Sequence, residues 1–453
     1  MSTTLDFATF LLARGDAGLS PAAGRAATDL VCDGLAVAAL GAREPAPRHL
    51  AEMAVEAGGV AQAVLVGQGA PLLPASVAAR VNGAAMHVLD FEPMWNPANH
   101  SLSTTLPALL ALAESCGGVA GGKLLVALAV GIEAQARLRT ASGMFEPGQF
   151  TFHPPGMVGA IGSAAGCGIL LGLDAPRLAM AMGIAASRAG ALIANVGSMT
   201  KCLHCGDAAA GGLEAALLAA RGFSADADAI GGPRGWGRAF GGDRFDAAIL
   251  TAPAEDWHIA GPGPAFKLYP SQYGTHFVIT AALDARRRWD GRGAIRRVVV
   301  TAPAMAYVDR PLPATGLAGK FSFQYTAAAA LLDGRVGVDS FADARRFSAD
   351  MEALLPRIAI LPDPRREGRF DRMRVDLEIE LDDGRRLQGM CDGPPGIWGR
   401  PVPAAALREK WRDCLAAAFG ADRGGAVLER AAAIGGQGPR DLLALMESMA
   451  APG

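Results

Sequence analysis

The sequence predicts a mainly α protein with a smaller α/β domain, and three observations carry that prediction. Between residues 21 and 260, apolar side chains recur at helical spacing in one segment after another. The composition suits close helix packing: 51% of residues are hydrophobic, only 6% are aromatic, and 58 are glycine. After the Gly261-Pro262-Gly263-Pro264 hinge, short β-branched runs enter between the helices. At 453 residues the chain also exceeds the size at which a single hydrophobic core stops growing, so two domains are expected.

Taken in order, residues 21–40, 74–90, 102–116, 122–140, 156–173, 176–195 and 207–221 read as helices. Several are apolar on most faces, as central helices of a large bundle are. Beyond the hinge, 271–288 reads as a helix, 295–301 as a strand and 324–332 as a helix. Strands are expected at 373–381 and 385–390, joined by the hairpin signal Asp382-Asp383-Gly384. Residues 403–419, 426–434 and 439–449 return to helix. The expected organisation is a large helical domain (1–263), an α/β domain (264–399) and a helical C-terminus (400–453) that packs back on the first.

The formal charge of −2 gives no general attraction to nucleic acid or to an acidic membrane surface. No leader pattern opens the sequence, and 157–173 is shorter than a typical membrane span of ~20 residues and broken by glycines. Seven scattered cysteines argue for reduced thiols in a cytoplasm. Lysine is scarce: Lys123, Lys201, Lys267, Lys320 and Lys410 stand against an Arg-rich background. A lysine in an apolar setting supplies a compact, titratable ammonium that arginine does not.

Two motifs point to chemistry that their context does not support. Gly117-Gly-Val-Ala-Gly-Gly122-Lys123-Leu124 approaches a phosphate-binding loop, but it lacks the Ser or Thr and follows a helix. An interhelical turn is the better reading. Cys202-Leu-His-Cys205 has no second Cys/His pair at metal-ligand spacing, so no metal is expected. Gly156, Gly159 and Gly162 suit close helix packing.

Four polar islands remain, each at a helix–loop junction in apolar surroundings. The first is His87-Val-Leu-Asp90-Phe-Glu-Pro-Met94-Trp95-Asn-Pro-Ala-Asn-His100. The second is Thr151-Phe-His153-Pro-Pro-Gly156, an imidazole just before a helix start. The third, Met199-Thr-Lys201-Cys-Leu-His204, places a cation before a helix, and the fourth is Phe266-Lys267-Leu-Tyr269-Pro270. Taken singly, each has an ordinary explanation as a cap, a satisfied interior group or a solvated charge. Together, lysines can hold carboxylates and stabilise developing negative charge, while imidazoles move protons at the adjacent carbon. The implied class is proton transfer alpha to a carboxylate: decarboxylation, dehydration or epimerisation.

These blocks, in this order, resemble the signatures of the MmgE/PrpD family: D-F-E-P-M-W-N-P-A-N-H-S, F-H-P-P-G-M-V-G-A-I-G-S-A-A, M-T-K-C-L-H-C-G-D-A-A-A-G-G and F-K-L-Y-P-S-Q-Y-G-T-H. That family includes 2-methylcitrate dehydratase, cis-aconitate decarboxylase and iminodisuccinate epimerase. The resemblance spans nearly the whole chain. It implies a helical domain built from both termini, an inserted α/β domain, and a homodimer with no metal or organic cofactor. It also implies that Asp90, His100, His153, Lys201 and Lys267 fall on active-site positions, with Met94, Trp95, His204 and Tyr325 beside the substrate.

The first block resembles the decarboxylase branch most closely, with two departures. Where that pattern has D-D-T-W-H-P, this chain has Glu92-Pro93-Met94-Trp95-Asn96-Pro97, so a thioether replaces a hydroxyl at Met94. Ser101 replaces the proline that follows the histidine. The expectation is a lyase acting on a small di- or tricarboxylate, decarboxylase-like, with a dehydratase or an epimerase as the alternatives. A non-catalytic relative that binds an anionic ligand, and a nucleotide-dependent enzyme on the near phosphate loop, are the readings of other classes.

Overall fold

The computed structural model describes residues 2–146 and 150–450. The chain is mainly α, with one small mixed sheet. Its first part runs through α1 (Thr3–Ala17), α2 (Pro21–Gly41), α3 (Pro45–Ala57), α4 (Ala75–Val88) and α5 (Ser101–Ser115). It continues with α6 (Gly121–Ala141), α7 (Pro154–Leu171), α8 (Ala175–Ala186), α9 (Thr200–Ala220) and the short α10 (Trp236–Phe240).

Helices α1 and α3 add to the sequence expectation. The Ser2 side chain accepts from Leu5 N–H to start α1, and Pro45 occupies the first turn of α3, where its missing N–H costs nothing. The helix expected over 176–195 stops at Ala186, and a loop containing Gly197 at φ 100° follows. Helix α9 then starts at Thr200, earlier than expected, so Lys201 and His204 lie inside its first turns and not ahead of them.

Close approach of α4, α5, α6, α7 and α9 depends on glycine. A Cβ on Gly206 of α9 would lie 2.3 Å from the Arg80 carbonyl of α4, and one on Gly83 would lie 3.0 Å from Gly206 Cα. On α7, a Cβ on Gly159 would meet Thr104 Cγ2 at 2.6 Å, and one on Gly162 would meet Gly131 O at 2.5 Å. The obstacles include backbone, which cannot swing aside as a side chain can. Gly206→Ala is therefore expected to destabilise the protein by about 1–3 kcal/mol and to separate α4 from α9. A urea melt checks the first effect, and loss of turnover greater than the loss of folded protein checks the second.

Helix α7 is the one helix among the described residues long and apolar enough to cross a membrane, yet 89% of that stretch is buried inside the protein. Its apolar surface faces neighbouring helices on all sides. The near phosphate loop is the turn into α6. A Cβ on Gly118 would strike Pro439, one on Gly121 would strike Ile434, and Lys123 donates to the Leu170 carbonyl at 2.9 Å. That segment is a packing joint.

Beyond residue 264 come α11 (Tyr273–Arg287), β1 (Ile295–Ala302), α12 (Gly316–Gly319) and α13 (Phe323–Asp333). The short α14 (Asp343–Arg346) and α15 (Ala349–Leu354) precede β2 (Ile358–Pro362), β3 (Val375–Leu381) and β4 (Arg386–Cys391). The sheet order is β2-β1-β3-β4, with β1 parallel to β2 and antiparallel to β3. The β3–β4 hairpin turns at Gly384, φ 86°, where the sequence signal placed it. Strand β2 was not expected, because prolines at 356 and 362 bracket it. It lies at the sheet edge, where proline is tolerated.

Helices α16 (Ala404–Phe419), α17 (Ala421–Ala432) and α18 (Pro439–Ser448) close the chain. Buried apolar residues form two clusters. One runs from Phe7 to Ile259 and resumes from Val402 to Met449; the other spans Ala265 to Ile397 and takes in Met94 from the first part. The loop carrying Met94 thus sits at the junction of the two clusters.

Candidate active site

Helix α4 ends one residue before Leu89, and Asp90 then adopts φ 52°, the left-handed region. Asp is among the few non-glycine residues that tolerate it, and a conformation of this kind persists only where the surroundings fix it. Here lysines from three distant segments fix it. Lys320 donates to the Leu89 carbonyl at 3.1 Å, Lys267 to the Asp90 carbonyl at 3.0 Å, and Lys410 to the Phe91 carbonyl at 2.8 Å. Of the five lysines in the chain, these three and Lys201 all converge on this one turn.

The loop that follows is stitched to the start of the second segment. Met94 N–H donates to the Ala265 carbonyl at 3.1 Å, and Ala265 N–H returns to Met94 at 2.7 Å. That pairing brings Lys267, two residues later, onto Asp90: its ammonium contacts Oδ1 and also reaches the Ser271 carbonyl at 3.2 Å. Lys201 approaches from α9 and donates to Asp90 Oδ2 at 2.7 Å. The carboxylate is therefore clamped between two ammonium groups, and all three side chains are buried. Burial pushes the Asp90 carboxyl up, and Lys201 followed by Lys267 more than reverses this, holding it well below the usual carboxylate range.

Three imidazoles surround the clamp. The His87 and His100 ring centroids are 4.7 Å apart, His87 and His153 5.4 Å, and His100 and His153 6.3 Å. His100 is the N-cap residue of α5 and His153 that of α7. His153 N–H donates to the Ala191 carbonyl at 2.8 Å, which ties its loop to the segment leading into α9. Burial lowers the His153 and His100 pKa values; Lys201 adds to the effect on His153, while Glu92 opposes it on His100. Both rings are held neutral in the neutral pH range, which suits a proton acceptor.

Asp90, His100, His153 and Lys201 share a cavity of about 520 Å³ with Met94, Gln272, Tyr273, Tyr307 and Phe321. Lys267 faces Asp90 and not the cavity, with its donors directed at Asp90 and Ser271. His204 stands behind His153, Nδ1 to Nδ1 at 3.2 Å, and burial lowers it to about 4. Trp95 is buried in the first apolar cluster, its backbone N–H donating to the Asn99 carbonyl at 3.0 Å. Tyr325 is a correction: its hydroxyl donates to the Ser340 carbonyl, its ring packs on Phe341, and it does not border the cavity. At the start of α13 its register turns it toward Ser340. The cavity tyrosines are Tyr273 and Tyr307, and the Tyr307 hydroxyl accepts from Gln272 Nε2 at 3.0 Å.

Sequence reasoning also missed His87 and Glu92. Both are fully buried, and both lie within the stretch that drew attention to Asp90. His87, Glu92 and His100 are the group of described residues whose ligand-type atoms lie within 4.8 Å of one another. His87 Nδ1 and Ser103 Oγ already meet Glu92 Oε1, and the Lys201 ammonium stands 2.8 Å from His87 Nε2. The contacts are those of a hydrogen-bonded cluster beside a fixed cation.

The MmgE/PrpD N-terminal domain model matches residues 6–247, and the MmgE/PrpD C-terminal domain model matches residues 269–433. The chain is 35% identical over 349 residues to cis-aconitate decarboxylase of Homo sapiens, covering 75% of this chain and 72% of the relative. It is 35% identical over 350 residues to the Mus musculus cis-aconitate decarboxylase, with 75% and 72% covered. To the cis-aconitate decarboxylase of Aspergillus terreus it is 27% identical over 424 residues, 84% of this chain and 83% of that one.

Proposed function

The chain belongs to the MmgE/PrpD family, and on that premise we propose that it is a lyase that decarboxylates a small polycarboxylate of the cis-aconitate kind. The observation that carries this reading is the Lys201–Asp90–Lys267 clamp with His100 and His153 beside one cavity. Decarboxylation breaks a carbon–carbon bond, leaves its electron pair on the substrate and requires one proton at carbon. Lys201 gives two donors to His87 and Asp90, and its third is free to meet a substrate carboxylate or the charge developing beside it. That proton comes from solvent: the cavity-facing ring nitrogen of His100 or His153 takes it up and hands it to the carbon, which returns the ring to its neutral form. Tyr307, its oxygen held by Gln272, donates its hydroxyl hydrogen to a second substrate oxygen.

Dehydration and epimerisation use the same acid and base groups, so the product decides among them. Protein incubated with cis-aconitate in deuterated buffer is expected to release carbon dioxide and yield an unsaturated dicarboxylate carrying one deuterium, followed by NMR. A folded protein that returns cis-aconitate unchanged would sink the decarboxylase reading. The family resemblance adds a homodimer that needs no metal or organic cofactor, testable by size-exclusion chromatography with light scattering and by dialysis against a chelator. The seven unpaired thiols favour a cytoplasmic setting.

Because burial lowers His100 and His153 from their ordinary value of 6.5, both stay neutral as pH falls through that point. Because the reaction consumes a proton, the rate falls as the imidazole that carries it deprotonates; that fall in kcat/KM is expected to be centred below pH 6.5, and a fall centred at or above 6.5 contradicts the assignment. Met94 is the residue to vary for selectivity. It lines the cavity where the decarboxylase pattern has a threonine. Met94→Thr is expected to raise kcat/KM on cis-aconitate by roughly tenfold, because a hydroxyl meets a substrate oxygen that a thioether cannot. An unchanged ratio between cis-aconitate and a substrate bearing one carboxylate fewer would remove Met94 from the selectivity wall.

A further inference from the structure

Glu92 is a fully buried carboxylate whose charged contacts among the described residues are two imidazoles, with no Lys or Arg beside it. Its surroundings determine where the protons sit. Lys201 Nζ lies 2.8 Å from His87 Nε2, and an ammonium only donates, so His87 Nε2 carries the lone pair. The His87 proton is then on Nδ1, directed at Glu92 Oε1. Ser103 Oγ donates to the same oxygen at 3.1 Å. Burial pushes the Glu92 carboxyl up, and His87 followed by His100 more than reverses this, so the group is a carboxylate.

His100 Nδ1 is buried 3.2 Å from that same oxygen, off the line of a well-formed hydrogen bond, and no other group meets it. A lone pair against a carboxylate oxygen would be repelled, so Nδ1 carries the proton. Nε2 is left as the basic nitrogen, on the side of Asp90 Oδ1 at 3.8 Å and of the cavity that both residues line. The logic is that of an acid holding a histidine base in one tautomer, a role that in a hydrolytic triad belongs to the buried aspartate.

We propose that Glu92 is a positioning residue for His100: its carboxylate fixes the imidazole with the proton on Nδ1 and the Nε2 lone pair turned to the substrate. This inference rests on the decarboxylase reading only for its kinetic arm. The charged and titratable groups facing His100 are Glu92 and Asp90 on the loop, His87 on α4, His153 at the start of α7 and Lys267 from the second segment. Glu92 and Asp90 favour the imidazolium, while Lys267 opposes it. Removing the Glu92 charge therefore moves the His100 titration to lower pH.

The test pairs NMR on the resting protein with kinetics. In protein labelled with ¹⁵N-histidine, long-range ring correlations are expected to show His100 as the Nδ1–H tautomer and, in Glu92→Gln, a shift toward a mixture. On the accepted substrate, Glu92→Gln is expected to lower kcat on the order of 10²-fold with KM little changed. The fall in kcat/KM that His100 governs should move to lower pH, and Glu92→Asp should restore part of the rate. A wild-type His100 protonated on Nε2 overturns the proposal. So does a Glu92→Gln variant with unchanged kcat and pH profile, or one that loses rate through folded fraction alone by circular dichroism. If Glu92→Gln does not fold, the wild-type spectrum and Glu92→Asp decide. If no acid is turned over, the function reading fails while the tautomer still decides the role of Glu92.

Discussion

Lys201→Met is expected to lower kcat on cis-aconitate on the order of 10³-fold while leaving a folded protein. Lys201 supplies the ammonium that borders the cavity, whereas Lys267, Lys320 and Lys410 each reach a backbone carbonyl of the Leu89–Phe91 turn. Methionine matches the length of the lysine stem and fills the same space without charge. Asp90 retains Lys267 as a partner, so the carboxylate is not stranded. Turnover and thermal melting separate the two effects. A kcat within tenfold of wild type would mean that the charge stabilising the reaction comes from elsewhere, and arginine would be expected to restore little, since its planar head cannot occupy the point between His87 Nε2 and Asp90 Oδ2.

The sequence made the junction residues legible and the buried partners illegible, and the difference is physical. Asp90, His100, His153 and Lys201 each lie where an apolar helix begins or ends, a placement that periodicity reveals. Glu92 sits in a Pro-rich loop, where an acid ordinarily faces water. Only the fold shows that α4, α5 and α9 enclose it. The scarcity of lysine was visible, but its purpose was not, because the targets are backbone carbonyls and the partners lie 111 to 319 residues away. Tyr325 falls on a position implied by the family resemblance yet turns toward Ser340, while Tyr307 lies in an irregular turn where neither helical nor strand period applies. With four tyrosines in the chain, composition alone could have put Tyr307 under suspicion.

The same clamp makes Asp90 a point where stability and chemistry meet. Asp90→Asn is expected to destabilise the protein by about 3–5 kcal/mol, since removing one member of a buried ion pair leaves the others uncompensated. Asparagine suits the test because it, too, tolerates the left-handed conformation at φ 52°, so the backbone contributes little to the difference. Its amide oxygen can accept from one ammonium, and its NH₂ then opposes the other. The pH dependence has a definite sign. The folded Asp90 carboxyl lies well below the 3.8 of an unperturbed aspartate, through Lys201 and Lys267 acting against the burial that raises it. Its stabilisation is therefore complete above the unfolded value and lost as pH falls through the folded one. Urea melts of wild type and Asp90→Asn should differ by a constant amount from pH 7 to 5 and converge only below 3.8. A difference under about 0.5 kcal/mol at pH 7, the scale of an ordinary surface substitution, would show that the clamp does not hold the turn. In that case Lys320 and Lys410, from segments far apart in the chain, would be the groups that set the geometry of Asp90.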